Sequence, residues 1–265
     1  MNTDEILKKM EKYRLPSIKI KLRRADDNLS IFTSKFGGYP YIPKNSEYPR
    51  GANMDLVFIA QINCEELPLN EIYPKKGLLQ FFIGGDDLFG LGDFTNLTDN
   101  KNFKVIYHET IDKNVTLEEV KEKYKLREYD DDYYGIFEKH NDCYALIFKK
   151  EMQHPSPSDF RYEKIMSKIT ENKKLSDSVE DELWDELESD GSRIGGYATF
   201  TQSDPRELEE YSDYKIMLLQ IDSEADDDGN WQILWGDCGV GNFFITKEQL
   251  EKLDFSKVLF NWDCC

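Results

Sequence analysis

The chain has 265 residues and a mass of 31.1 kDa, and is 39% hydrophobic, 13% aromatic and 32% charged. Its 34 basic and 52 acidic side chains leave a net charge of −18 at pH 7. The aromatic content is enough for a large core and excludes wholesale disorder; the charge argues against binding nucleic acid or an anionic membrane, since both need basic surface.

Residues 3 to 13 predict a helix, with Thr3 as its cap and Asp4 and Glu5 at its positive end. Ser17 to Leu22 alternates with period two and reads as a strand with one wet face. The runs 56–62, 78–83 and 143–148 are rich in β-branched, aromatic and aliphatic residues and read as strands too. Between them, Thr116 and Glu119 have capping-box spacing and open a helix running to about Lys125. Residues 156–169 and 176–188 predict two further helices, the second with Leu183, Trp184 and Leu187 as its apolar face. Strands follow at 216–221, 231–235, 242–245 and 257–262, with a short helical turn from Thr246 to Gln249 before the last. The expected class is α+β: strand-rich, internally duplicated, with mainly antiparallel sheets and peripheral helices.

The duplication rests on four blocks that recur in the same order at offsets of 156 to 162 residues. Ser34-Lys35-Phe36-Gly37-Gly38-Tyr39 recurs as Ser192-Arg193-Ile194-Gly195-Gly196-Tyr197, and Pro49-Arg50 as Pro205-Arg206. Phe58-Ile59-Ala60-Gln61-Ile62-Asn63 matches Leu218-Leu219-Gln220-Ile221-Asp222, and the run from Gly77 to Ile83 matches that from Gly239 to Ile245. The boundaries that follow are a leading helix and strand (1–30), a first repeat (31–150), a helical connection (151–190) and a second repeat (191–265). No flexible linker separates them, so the expectation is one compact duplicated unit.

The chemistry-bearing motifs are sparse. There is no phosphate loop and no dinucleotide fingerprint, and the glycine pairs Gly37-Gly38 and Gly195-Gly196 read as backbone turns at positive φ. His140-Asn141-Asp142-Cys143 is a lone His-x-x-Cys without further ligands at zinc spacing. Asp222 to Asn230 resembles the front of a calcium loop, but Trp235 stands where the closing Glu is needed. A hairpin turning at Asp228-Gly229 accounts for the same residues. No metal and no cofactor are therefore expected. Five cysteines without a Cys-x-x-Cys pair read as reduced thiols. With no apolar leader and no spanning segment read in the sequence, the cytoplasm is the expected compartment.

The quoted blocks, together with Pro40, Gln202-Ser203-Asp204, Trp235-Gly236-Asp237 and Phe243-Phe244-Ile245, resemble the YwqG-like family of uncharacterised, mostly bacterial proteins. Tyr48 stands where the family pattern often has Trp. The resemblance implies a bacterial cytosolic protein and brings no established activity. It suggests an immunity-like role beside secreted toxins.

Two functions follow as expectations. From Ser176 to Asp228 there are 18 acidic against 3 basic side chains, net −15 of the chain's −18. That window suits a binding module for a basic protein partner, met through Glu180, Asp181, Glu182, Asp185 and Glu186. The alternative is an enzyme or small-ligand binder with a polar cleft between the repeats, lined by Gln61, Gln202, Arg206, Gln220 and Asp237. The balance leans away from an enzyme, and the oligomeric state is open.

Overall fold

The computed structural model describes residues 1–25, 29–92, 94–187 and 189–265. Helix α1 (Thr3–Met10) is capped by Asn2, whose side chain accepts from the Glu5 N–H while the Glu5 carboxylate accepts from the Asn2 N–H. The cap is thus one residue earlier than Thr3, whose hydroxyl instead donates to Glu182. Strands β1 (Leu15–Arg24), β2 (Lys35–Gly37), β3 (Val57–Asn63), β4 (Leu78–Ile83) and β5 (Lys104–His108) follow. Next come α2 (Leu117–Lys123), β6 (Cys143–Gln153), α3 (Tyr162–Thr170), α4 (Asp177–Leu187), β7 (Arg193–Gly195) and β8 (Ile216–Asp222). A small ribbon of β9 (Glu224–Ala225) and β10 (Trp231–Ile233) precedes β11 (Val240–Ile245), α5 (Lys247–Glu251) and β12 (Leu259–Asp263).

The α+β expectation is overturned. Ten strands form a single antiparallel sheet in the order β12-β11-β8-β7-β1-β6-β2-β3-β4-β5, curled into a half-barrel, and the helices are few and small. Two errors of reading explain this. Strands β2 and β7 have only three residues each, and β5 has five, too short to show periodicity. The helix expected over 156–169 begins only at Tyr162. Before it, the Asp159 carboxylate accepts from the Arg161 N–H, a local turn that competes with helix. The end of the helix expected over 176–188 falls on Glu188, outside the described residues.

The strand order reads alike from either edge. Working inward, β5-β4-β3-β2-β6 on one flank faces β12-β11-β8-β7-β1 on the other, joined by the long β1·β6 ladder that runs from Leu15 opposite Gln153 to Arg24 opposite Tyr144. Curling brings the flanks together: β4 and β11 have six strands between them, yet the Phe81 and Phe243 rings meet at 5.0 Å. Leu79, Phe81 and Ile83 pack into this inner core with Phe243, Trp235 and Phe260. The outer face of the first flank is covered by α2 through Val120 and Tyr124; that of the second by α1, α3 and α4 through Ile6, Met10, Ile169, Leu183 and Leu187. Because both faces are covered, β3, β4 and β11 are buried along their whole length, so they read as continuous apolar runs without alternation.

The paired glycines do the work expected of them. Gly37, Gly38, Gly195 and Gly196 all have φ between +68° and +78°, and a Cβ at Gly37 would lie 2.2 Å from the Asp142 carbonyl oxygen. Only glycine adopts two such residues in succession without strain.

Candidate functional site

A groove of about 890 Å³ lies on the second flank. Its floor is the middle of β1, from Lys19 to Leu22, and its walls are segments 189–191 and 199–201, the end of β8, the β9–β10 ribbon and α4. Five carboxylates line it (Asp190, Asp222, Glu224, Asp226 and Asp227) against Lys19 and Lys21. Two indoles line it as well: Trp184 is 55% and Trp231 40% exposed. The expected apolar face of α4 is therefore corrected. Leu183 and Leu187 are buried as read, but Trp184 stands out into solvent beside the groove.

Backbone geometry holds the carboxylates in place. Asp222 accepts from the Gly191 N–H at 2.7 Å, and Glu224 accepts from both the N–H and the hydroxyl of Ser192 at 3.1 and 2.8 Å. Burial pushes the Asp222 carboxyl up to about 6, helped by the neighbouring Asp190 and Glu224 charges and opposed by the Gly191 hydrogen bond. Asp226 turns the ribbon by accepting from the Asp228 and Asn230 N–H groups, with Gly229 at φ +83°. The residues from Glu224 to Ile233 thus form a hairpin. Among the described residues no group of three His, Cys, Asp or Glu side chains is placed to hold a metal ion. Carboxylates beside exposed indoles make a receptor for cations, since an ammonium or guanidinium can lie on an indole face while pairing with a carboxylate.

The residues expected to form a polar cleft are not gathered in one. Gln61 is fully buried; its amide donates to the Ile31 and Thr33 carbonyls and its oxygen accepts from the Tyr41 N–H and from Gln80. Gln220 does the same on the other flank, donating to the Ser189 and Gly191 carbonyls and accepting from the Thr199 N–H. Both clamp a loop to a sheet edge. Arg206 is fully buried in an ion cluster: Nε donates to Asp204 at 2.8 Å, Nη2 donates to Asp159 at 2.9 Å, and the guanidinium lies 4.0 Å from the Phe244 ring centroid. Burial works against the Asp159 carboxylate, but the hydrogen bond from Arg161 and the charge of Arg206 hold it below its ordinary range. Gln202 is exposed, lines a separate groove and donates to the Cys264 carbonyl, while Asp237 is exposed on the loop before β11. Glu180, Asp181, Glu182, Asp185 and Glu186 are all exposed on α4, the helix that brings Trp184 to the groove.

Sequence reasoning missed the groove itself. Trp231 and Asp190 carried no pattern, although the exposed indole of Trp184 could have been noticed as an aromatic within an acidic run. A family model described as Domain of unknown function (DUF1963) matches residues 34–264. No curated protein matches the chain.

Proposed function

Since the chain belongs to the family of the DUF1963 domain, whose description assigns no activity, we propose from the groove's own chemistry that it is a binding module for a basic protein segment. The observation that carries the reading is the pair of exposed indoles, Trp184 and Trp231, in a groove with five carboxylates. Lys or Arg side chains of the partner would stack on the indoles and pair with Asp190, Asp222 and Glu224. The exposed acids of α4, Glu180, Asp181, Glu182, Asp185 and Glu186, would steer its approach. The proposal takes the protein as a YwqG-like, bacterial, cytoplasmic member of the family that neutralises a basic partner, and takes the two flanks of the sheet as diverged copies of one unit. Support for that compartment comes from the five cysteines, among which no disulfide forms in the described residues. Among the described residues, too, no helix is long and apolar enough to cross a membrane.

The test is a tryptophan-fluorescence titration with a hexa-arginine peptide, at low salt and at about 0.5 M, where the screening length falls to a few ångströms. Binding should perturb the emission and weaken steeply with salt. The Trp184→Ala/Trp231→Ala double variant, followed by calorimetry, keeps every charge and should lose at least about tenfold in affinity. Equal affinity in that variant would mean that the net charge alone attracts the peptide, and the groove reading would fall.

A further inference from the structure

A second cavity, about 490 Å³, lies on the first flank, between β2, α2 and the loop entering β6. Lys35, Tyr39, Lys121, Lys125, His140 and Cys143 line it. Among the described residues no Asp or Glu does, in a chain whose net charge is −18. Lys121 and Lys125 are exposed and need no explanation beyond solvation. Lys35 does: it is 2% exposed, and its ammonium, which carries three N–H donors, donates to the Ser30 carbonyl at 3.3 Å and forms no ion pair among the described residues.

The other flank shows how the fold neutralises a cation at this position. Arg193 occupies the same place in β7 that Lys35 occupies in β2, and it has the Glu151 carboxylate at 3.5 Å and the Asp190 carbonyl at 2.6 Å. Glu151 sits opposite Ser17, which sits opposite Gly195. Following the same register on the first flank, Gly37 sits opposite Cys143, whose carbonyl accepts from the Ala25 N–H. At the register position that Glu151 fills beside Arg193, the first flank has Ala25. A buried ammonium that closes no ion pair among the described residues is costly, and Lys35 lines a cavity.

We propose that the cavity binds a small phosphorylated compound, with its phosphate against the Lys35 ammonium and Lys121, Lys125 and His140 closing on it from the mouth. A phosphate monoester brings up to two negative charges and three acceptor oxygens, which suits several separate cationic donors better than a single carboxylate would. Burial holds the Lys35 amine down to about 8, against the upward pull of Cys143 and Glu66; a bound dianion would restore its charged form. This site is independent of the acidic groove.

The experiment is calorimetric titration of the full chain with inorganic phosphate, glucose 6-phosphate and glucose at constant ionic strength. Both phosphates should bind saturably and glucose should not. Lys121→Ala/Lys125→Ala removes only exposed side chains, so the fold should persist, with an unchanged circular dichroism spectrum, while phosphate affinity falls about tenfold or more. Lys35→Met should abolish binding. Absence of saturable phosphate binding by the unaltered protein, or affinity unchanged in the Lys121/Lys125 variant, would overturn the proposal.

Discussion

The two flanks of the sheet place the same backbone in the same register and spend it on different chemistry. At the position where Tyr48 on the first flank meets Phe82 edge-on and stacks on Tyr124 at 3.5 Å, the second flank sets Arg206 on Phe244 inside a ring of two aspartates. One is an aromatic stack, the other a buried ion cluster; Arg50, which the sequence aligns with Arg206, is left at the surface beside Asp55. The outer polar rows diverge in the same manner. Ser34 receives the Asn63 N–H on its hydroxyl and donates its own N–H to Glu66, and Ser192 does likewise with Asp222 and Glu224. Where one flank has the neutral Asn63 amide, the other has the Asp222 carboxylate at the rim of the acidic groove. A scaffold whose hydrogen-bonded loops are fixed by backbone contacts can change the charge of the side chains above them without changing its path.

The comparison breaks most visibly at the ion cluster. Arg206→Ala leaves Asp204 buried without its cation and Asp159 with Arg161 alone and should cost about 3–5 kcal/mol, whereas Arg50→Ala should cost no more than about 1 kcal/mol; urea unfolding of both variants measures the gap. Next come the clamps: Gln61→Leu strands the Tyr41 N–H and the Ile31 and Thr33 carbonyls, Gln220→Leu strands the Thr199 N–H and the Gly191 carbonyl, and each should lose roughly 2–3 kcal/mol. A large loss in one variant and none in the other would show that the flanks do not share this device.

The flanks should also answer acid with opposite signs. Burial lowers His108, beside Gln80 on the first flank, to about 4. Between that value and its ordinary ~6.5 the unfolded chain binds the proton and the folded one does not, so this group's contribution to stability falls as pH drops through the window. Asp222 titrates near 6 in the folded protein against ~3.9 unfolded, so the folded chain binds the extra proton and its contribution falls as pH rises from about 4 to 6. His108→Gln should remove an acid-side loss of about 2–3 kcal/mol. Asp222→Asn, which installs the residue type of Asn63, should raise stability at pH 7 by about 1–2 kcal/mol. Thermal melts from pH 4 to 7 separate the two slopes. The smallest effect expected is that of Trp184→Ala on stability, within ~0.5 kcal/mol because its ring is mostly in water; a larger loss would mean that the indole supports α4 and is not held out for a partner.

Much of this was legible in the chain. The apolar runs of β3, β4, β8 and β11, the capping boxes at Thr116 and Thr246, the hairpin turn at Gly229 and the positive-φ glycine pairs are local matters, set by side-chain type and backbone sterics within a few residues. Other elements were not. Strand β2 is a strand because β6 and β3 flank it, and the class follows from its inclusion in a single sheet. Gln61, Gln220 and Arg206 stood out as polar residues in apolar surroundings, but whether such a residue faces a cleft or clamps a loop depends on partners about 20 to 50 positions away. The sequence by itself determined the longer apolar strands, the turns and the charge segregation, because those depend on neighbours along the chain. Only the tertiary structure decided that Trp184 and Trp231 share a groove, and that Arg193 meets Glu151 while Lys35 closes no ion pair among the described residues, because burial and charge pairing arise where distant segments meet.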